Sequence, residues 1–383
     1  MTDGKSVYYT GAGETLTTWE IDVAGAALAQ RSAVTLPAPA MYAWPDNERR
    51  FLYMVCSDGG PYPENKHHYA TVWKIDGNGD LNPHGEPLVL PARPIHASLD
   101  RVGRHLLIAY NVPSTFTVHR IEADGRIGAE VPQQRNEFGL YGHQILATPN
   151  DNGVLLVCRG TDAGRTRPED PGSLHVFAYD NGRLTHRREI ALGDNGLGFG
   201  ARHLDFHPSG RFMTLCVERQ SRLMVFGLSE DGDLTPEPLF DVNTLSRPSN
   251  GRQAAGFIRM HPSGRSVYLS NRSFGRLDGE QRVVDDGESN LVAFALDPET
   301  GEPSLLQHVD PGLFHIRNCG IDPSGKLLVC TSIEPARMPD GSIKPATLAA
   351  LRVGDDGRLT PANTYPVEVG RRQIFWSGIV DLR

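Results

Sequence analysis

Several features that identify whole classes of protein are missing from this sequence of 383 residues. No apolar run approaches the roughly 18–20 residues that a membrane span needs. The opening segment, MTDGKSVYYTGAG, lacks the apolar core of a signal peptide. No block of basic residues is present, and 38 Lys and Arg against 46 Asp and Glu give a net charge of -8. Because an acidic chain of this kind binds nucleic acids and anionic membranes poorly, we expect neither as a partner.

Cysteine is also scarce, and its pattern bears on the cellular compartment. The sequence has five cysteines, an odd number with no CxxC pair: Cys56, Cys158, Cys216, Cys319 and Cys330. Four of them lie in apolar, strand-like runs, as buried free thiols do. Since unpaired thiols suit a reducing compartment, the sequence predicts a cytoplasmic protein.

Glycine and proline, by contrast, are abundant, at 41 and 28 residues, and 39% of the chain is hydrophobic. This composition is rich in turns but can still supply a core. One turn recurs seven times between strand-like runs, as in WKIDGNGDLNP (73–83) and LRVGDDGRLTP (351–361). Its reference glycines are Gly25, Gly79, Gly125, Gly182, Gly232, Gly301 and Gly357. Asp-Gly and Asn-Gly between alternating apolar runs are strong signals for β-hairpins.

A second kind of turn, built on proline and glycine, falls between these copies. It is seen in FHPSGRFMTLCV (206–217) and IDPSGKLLVCTS (321–332). Each unit therefore contains two hairpins in succession, and four antiparallel strands per unit are typical of a β-propeller blade. Two packed β-sandwiches are the alternative fold, but sandwiches would not explain seven spaced copies.

The two ends of the chain complete the count of blades. First strands begin near residues 41, 95, 142, 201, 256 and 316, and a seventh such run, IFWSGIVDL (374–382), lies at the end of the sequence. Its missing partners are available near the beginning, in SVYYTGA, TLTTWEID and the run from Leu28 to Leu36. We predict an all-β fold in which residues 1–383 form one domain, a seven-bladed β-propeller of four-stranded antiparallel blades. Pairing of the N- and C-terminal strands in one blade would close it and remove its free edges.

The positions of the polar residues can be counted from the residue that opens each proline-glycine turn, which is Arg101 in one unit. This count is called the ruler below. Six residues before the opening residue lie His143, Arg202 and Arg317, and five before it lie His96 and His203. Ten residues after it lie Asn111, Arg159, Glu218 and Arg272. Because the strands between them form a hairpin, both sets return to the same end of the blade. We therefore expect them to ring one mouth of the central channel, where this concentration of arginine and histidine would favour a small anionic or oxygen-rich ligand.

Each of these residues also has a structural interpretation. His143 could cap a strand, Arg202 and Glu218 could form an ion pair between strand ends, and His96 and His203 could pack between blades. No metal site is predicted, because no group of possible ligands has a useful spacing. Four long loops at the same end could carry further binding residues: 57–69, 159–173, 273–289 and 333–346.

Two segments make the chain resemble a known family. GARHLDFHPSGRFMTLCVER (200–219) and RMHPSGRSVYLSNR (259–272) are similar to signatures of the seven-bladed β-propeller lactonases. This family includes propeller-type 6-phosphogluconolactonases and the fungal 3-carboxy-cis,cis-muconate cyclase. The resemblance covers essentially the whole chain and implies that no metal or organic cofactor is needed. It also implies an active site formed by His143, Arg202, Glu218 and Arg272. Ala201 and Arg259 depart from the family pattern, which usually has proline and histidine there.

The leading functional hypothesis is hydrolysis of a sugar-acid lactone, as by a 6-phosphogluconolactonase. His143 or Glu218 would serve as the base that activates water, while Arg202 and Arg272 would bind the substrate anion and stabilise the oxyanion. A small anionic or polyhydroxylated lactone would be bound by the rest of the cluster: His96, Asn111, Arg159, His203 and Arg317.

Two other hypotheses use the same architecture. A cycloisomerase of the carboxymuconate-lactonising type would employ the same residues, with an internal carboxylate in place of water as the nucleophile. A non-catalytic propeller would instead bind a ligand or protein on its rim, and its mark would be exposed aromatic residues. Tyr62, Tyr69 and Phe274 are the available ones.

Overall fold

The computed structural model describes residues 5–59, 67–248, 251–279 and 281–382, and strands are the regular elements of these segments. Among these residues, no helix has the length and apolar composition to cross a membrane. The chain opens with β1 (Lys5–Ala12), β2 (Thr15–Asp22) and β3 (Ala27–Thr35). The next sheet contains β4 (Ala40–Pro45), β5 (Phe51–Ser57), β6 (His68–Ile75), β7 (Leu81–Pro83) and β8 (Leu88–Val89).

Three four-stranded sheets follow in the same pattern. The first contains β9 (Pro94–Leu99), β10 (His105–Tyr110), β11 (Thr115–Ile121) and β12 (Ile127–Glu130). The second contains β13 (Gly142–Ala147), β14 (Gly153–Cys158), β15 (Ser173–Asp180) and β16 (Arg183–Ile190). The third contains β17 (Ala201–Phe206), β18 (Phe212–Val217), β19 (Arg222–Gly227) and β20 (Phe240–Asn243).

Two further sheets, interrupted by short strands, precede the end of the chain. One contains β21 (Gln253–Met260), β22 (Ser266–Ser273), β25 (Asn290–Leu296) and β26 (Pro303–Val309). The other contains β27 (Ile316–Ile321), β28 (Leu327–Ser332), β31 (Thr347–Val353) and β32 (Leu359–Pro366). The inserted short strands are β23 (Arg276–Asp278), β24 (Gln281–Val283), β29 (Ala336–Arg337) and β30 (Ile343–Lys344), and the last strand is β33 (Ile374–Leu382).

The seven large sheets are the blades of a β-propeller, and they are numbered here from the sheet that contains β1. The innermost strands are β33, β4, β9, β13, β17, β21 and β27, and each contacts the next around a closed ring. The first and second strands of blades 3 and 4 are buried along their whole length, whereas β32 at the outside of blade 7 is mostly exposed. The core therefore lies between the inner strands of neighbouring blades, which explains why those strands are almost wholly apolar.

Blade 1 joins the two ends of the chain, as the sequence predicts. Its strand order is β3-β2-β1-β33, with β33 antiparallel to β1 from the Lys5–Leu382 pair to the Ala12–Ile374 pair. The ring is thus closed by hydrogen bonds between the first and last strands. The fold prediction is confirmed. One detail differs: blade 2 has five strands, because β7 and β8 both pair with β6 at its outer edge.

The turns also hold neighbouring blades together. Tyrosine hydroxyls from the second strand of one blade donate to the glycine carbonyl of the Asp-Gly or Asn-Gly turn of the next: Tyr9 to Gly79 at 2.7 Å, Tyr53 to Gly125 at 2.8 Å and Tyr268 to Gly357 at 2.9 Å. These glycines have φ values between 80° and 88°, which is strained for any residue with a Cβ. The Asp-Gly turns that the sequence repeats therefore serve a second purpose as contacts between blades.

Two of the four long loops carry strands that the sequence did not predict. Segments 273–289 and 333–346 contribute β23, β24, β29 and β30 to a small additional sheet. Val283 of β24 pairs with Arg337 of β29 in parallel. This sheet joins the rims of blades 6 and 7 on the side where the first strands begin.

Candidate active site

The ends of the first and second strands meet at one mouth of the channel. The residue after the second strand donates its backbone N–H to the residue before the first strand. The Arg159 N–H donates to the Tyr141 carbonyl at 2.9 Å, and the Glu218 N–H donates to the Gly200 carbonyl at 2.9 Å. Side chains far apart in sequence are thereby fixed beside one another, as the hairpin ruler predicts.

A β-bulge at the start of the innermost strands determines which side chains reach this mouth. The pairing with the second strand skips one residue in β13, β17, β27 and β33. The skipped residues are His143, Arg202, Arg317 and Phe375, and all four line the same cavity. The same skip occurs in β4, at Met41, and in β9, at Ile95, so the bulge recurs in six blades. Bulges are known to redirect side chains next to functional sites.

The cavity at this mouth has a volume of about 360 Å³. Six of the nine predicted site residues line it: His143, Arg159, Arg202, Glu218, Arg272 and Arg317. The lining contains seven arginines but three carboxylates, Asp162, Glu218 and Glu334, in a protein whose net charge is -8. This local excess of positive charge makes the cavity suitable for an anionic ligand.

Glu218 lies at the centre of a cluster of arginines from three blades. One carboxylate oxygen pairs with Arg272 and lies 3.8 Å from Nε of Arg202, and the other pairs with Arg159. Burial alone would raise the pKa of Glu218, but the three guanidinium groups outweigh it and hold the pKa well below its usual value. Glu218 is therefore ionised at neutral pH, and each of its carboxylate oxygens is paired with a guanidinium group.

His143 is 6% exposed and lies behind this cluster. Burial, followed by the positive charge of Arg202, holds the pKa of His143 well below 6.5. Its Nδ1 atom has no hydrogen-bond partner among the described residues, and its ring packs edge-on against that of His203, with 4.9 Å between centroids. The imidazole is consequently neutral at physiological pH and can accept a proton.

Arg317 lines the cavity without an ion-pair partner among the described residues. Its Nε donates to the Phe375 carbonyl at 3.2 Å, and its guanidinium carbon lies 3.8 Å from the centre of the Phe375 ring. No carboxylate oxygen among the described residues lies within 4 Å of it. Burial and the charges of Arg202 and Arg272 lower the pKa of Arg317. A bound anion would relieve this repulsion.

Three predicted site residues do not line the cavity. His203 packs behind His143, and His96 lies deeper in the channel, with its ring centroid 4.0 Å from that of Tyr42. Asn111 donates to the Gly142 carbonyl at 2.7 Å and accepts a hydrogen bond from Arg93. Their placement assigns packing and positioning contacts to these residues, while their predicted role in substrate binding stays a prediction.

Arg259, which stands where the family usually has histidine, lies in the channel. Its guanidinium lies 3.5 Å from the Tyr42 hydroxyl and donates to the Ile258 carbonyl at 3.1 Å. Its charge contributes to lowering the pKa of both His96 and His203, after burial. The residue therefore acts on the channel below the cavity and does not line it.

Other cavity residues were missed by the sequence analysis. Arg93, Tyr141 and His315 all lie eight residues before the turn residue, at a ruler position that the sequence analysis did not consider. Phe375 and Arg252 also line the cavity, and nothing in their local sequence indicates this. The ruler could have found the first three, whereas the others depend on contacts between blades.

The aromatic residues expected of a rim-binding protein do not form an exposed patch in the described part of the chain. Tyr69 is partly buried in β6, and Phe274 lines the cavity with the Arg252 guanidinium 4.2 Å from its ring centre. Tyr62 lies outside the described residues. The arrangement favours a small polar ligand in the cavity.

Comparisons with known proteins agree with this architecture. Residues 6–334 match the model of the family described as "Lactonase, 7-bladed beta-propeller". A 6-phosphogluconolactonase from Pectobacterium carotovorum is 29% identical over 277 residues, 70% of this chain and 74% of that protein. One from Erwinia tasmaniensis is 25% identical over 370 residues, 96% of this chain and 97% of that protein.

The likeness extends to solved structures. A crystal structure from Bacteroides fragilis covers 100% of this chain and 99% of its own, with 19% identity and a TM-score of 0.76, and so shares the fold. The family match covers well over half of the sequence, from the first strand to the second strand of blade 7. The protein therefore belongs to the seven-bladed β-propeller lactonase family.

Proposed function

We propose that the protein hydrolyses a sugar-acid lactone in this cavity, with 6-phosphogluconolactone as the substrate its relatives indicate. The observation that carries the proposal is a neutral, buried histidine beside a cluster of arginines held by a single glutamate. Ester hydrolysis needs a proton acceptor for water and positive charge for the developing oxyanion, and these groups supply both.

His143 is the base in this proposal. Neutral imidazole accepts a proton from water as the water oxygen bonds to the lactone carbonyl carbon. The resulting tetrahedral intermediate then collapses, the bond from this carbon to the ring oxygen breaks, and the ring oxygen takes the proton from His143. The carboxylate of Glu218 favours the imidazolium formed in between, since its charge acts on His143 to raise the pKa. The product is the open-chain hydroxy acid.

Glu218 is a poor candidate for the base. Both of its oxygens are engaged by guanidinium groups, and its pKa is held well below the usual value. A carboxylate of this kind has little tendency to take a proton from water. Its contribution is to bring Arg159, Arg202 and Arg272 together without mutual repulsion, and Arg202 and Arg272 then act on the carbonyl oxygen.

Replacing His143 with glutamine tests the assignment of the base. The amide keeps polarity and approximate size but cannot accept a proton, so we expect kcat for 6-phosphogluconolactone to fall by about 10²- to 10⁴-fold, the usual contribution of a general base. The measurement is acid release, corrected for spontaneous hydrolysis. His308→Gln is the matched control, because His308 Nε2 donates to the Thr244 carbonyl, at 2.9 Å, outside the cavity. Full activity of His143→Gln would contradict this role.

Replacing Arg317 with methionine tests which substrate group is bound. Arg317 has no carboxylate partner among the described residues, so we expect it to bind the substrate anion. Loss of a charge-assisted contact of about 1.5–3 kcal/mol would reduce kcat/KM for the phosphorylated lactone about 10- to 150-fold. The unphosphorylated lactone should lose less. Arg188→Met, which removes an ion pair with Asp233 at the outer edge of blade 4, is the control. Equal losses on both lactones would contradict anion binding by Arg317.

A cytoplasmic location remains part of this proposal. It is supported by the five cysteines, which are all buried and free of disulfides. A reducing compartment would keep them so.

A further inference from the structure

Tyr141 occupies an unusual backbone position at the edge of the cavity. Its φ of 58° lies in the left-handed region, which is uncommon for a bulky residue. The equivalent position, eight residues before the turn proline, is held by Gly200 in blade 5, with φ 51°, and by His315 in blade 7, with φ 52°. Glycine is the relaxed choice at such a position, as blade 5 illustrates. In blades 4 and 7, where a residue with a side chain adopts this left-handed conformation, that side chain lines the cavity.

The surrounding backbone holds this conformation in place. The Tyr141 carbonyl accepts from the Arg159 N–H at 2.9 Å, and the Leu140 carbonyl accepts from the Gly160 N–H at 2.9 Å. Strain of this kind persists where neighbouring structure determines it, and it is concentrated at functional sites. The position of the Tyr141 side chain is therefore fixed by the same hairpin that presents Arg159.

The hydrogen bonding of the Tyr141 hydroxyl leaves one proton unused. Arg93 lines the same cavity, its positive charge acts on Tyr141, and a guanidinium group can only donate. Towards Arg93 the hydroxyl oxygen can therefore only accept, and no acceptor for the phenolic proton is found among the described residues. Arg93 is itself held by Asn111 and by the Gly59 carbonyl, the latter at 2.7 Å. Burial raises the pKa of Tyr141, so the proton is present at neutral pH.

We propose that Tyr141 is a further catalytic residue, which donates its phenolic hydrogen bond to the lactone carbonyl oxygen as that oxygen becomes negative. Arg93 is its positioning residue in this proposal, because a guanidinium that donates to the phenol oxygen leaves the phenolic proton for the substrate. This inference rests on the proposed lactone hydrolysis. It adds a neutral donor to the guanidinium groups of Arg202 and Arg272, and it explains why a strained tyrosine lies two residues before His143.

Tyr141→Phe provides the direct test, with 6-phosphogluconolactone as the probe. Loss of one oxyanion donor typically costs about 10²- to 10³-fold in kcat, and we expect a loss in this range with KM changed less than about threefold. Tyr110→Phe is the matched control, since the buried Tyr110 hydroxyl bonds Thr117 at 2.8 Å outside the cavity. A rise in KM with unchanged kcat would overturn the proposal and make Tyr141 a binding residue. Thermal unfolding verifies that each variant is folded.

A second variant keeps the test independent of the phenylalanine ring. Tyr141→Gly introduces the residue that Gly200 supplies in blade 5, so the backbone conformation is retained without strain, and we expect its kcat to fall at least as far as that of Tyr141→Phe. Retention of wild-type kcat in this variant would overturn the proposal.

The role of Arg93 is tested by a double-mutant cycle. Arg93→Gln should lower kcat in the wild-type background and much less in the Tyr141→Phe background, because its effect passes through the phenol. Additive losses would overturn the role of Arg93. The two levels of inference are separable, since failure of the wild-type protein to open any lactone refutes the proposed function, whereas wild-type turnover with an unimpaired Tyr141→Phe refutes only this inference.

Discussion

A chain that ends at residue 373 is expected to lose cooperative folding altogether. It would lack β33, the innermost strand of blade 1, which pairs with β1 along eight residue pairs and contacts the inner strands of blades 2 and 7. Its removal would expose the edge of β1, where Val7, Tyr8 and Tyr9 are completely buried. An open ring with an apolar edge is prone to aggregate. Circular dichroism and thermal unfolding would show the loss as the absence of a sharp transition.

A synthetic peptide of residues 374–382 offers the matched control for this truncation. Added in excess, it should restore the transition, whereas a peptide of scrambled sequence should not. A truncated protein with the thermal midpoint of the parent would contradict our proposal that residues 1–383 behave as one domain.

Acid is expected to unfold the protein well above the pH at which carboxylates titrate. Burial holds the pKa values of His96, His143, His203 and His315 well below 6.5. Below pH 6.5 the unfolded chain takes up these protons and the native state does not, so the free energy of unfolding falls as the pH falls. Each such proton removes about 1.4 kcal/mol per pH unit, and four remove about 5.6 kcal/mol per pH unit, a large part of the 5–15 kcal/mol typical of folded proteins.

Urea unfolding at pH 7, 6 and 5 measures this dependence. His96→Gln removes one titrating group in the channel, outside the cavity, and should lower the slope of stability against pH by about one proton. A free energy of unfolding that is constant from pH 7 to pH 5 would show that these histidines are protonated in the native state.

The number of blades and their closure were predictable because they depend on local chemistry. Turns that need a left-handed residue mark the ends of strands, and the repeated Asp-Gly turns appear in the sequence as such. The signal is incomplete where another residue adopts this conformation: Arg49 and Asp151 have φ 60° in first turns, and Ala26, beside Gly25, has φ 50°. The proline ruler nevertheless located the first strands, since hairpin geometry is set within a few residues.

The orientation of side chains at the mouth was harder to predict. Neighbours in a strand face opposite sides, so Arg202 and His203 cannot both face the cavity in a regular strand. The β-bulge decides which one does, and its position depends on pairing with the second strand. His96 and His203 were grouped with the cavity residues for this reason. In the structure both rings pack in the channel, and their role in substrate binding stays a prediction.

The ion pairs of Glu218 also lay beyond the sequence. A pair with Arg202 was one interpretation of their places on one hairpin. Their distance is 3.8 Å, and the carboxylate has closer partners in Arg159 and Arg272. These partners come from the blades on either side. Contacts between blades leave no local pattern, as the parallel pairing of Val283 with Arg337 also illustrates.

The register of β1 against β33 has a mechanical consequence. Lys5 pairs with Leu382, so the outer ends of the two strands lie at the same end of their ladder. A force that pulls the chain termini apart therefore loads this first pair alone, and then each following pair in turn, as far as Ala12 and Ile374. On heating, all of these pairs resist the opening of the ring together. Under tension applied to the termini, the pairs break one after another, so the ring opens at low force.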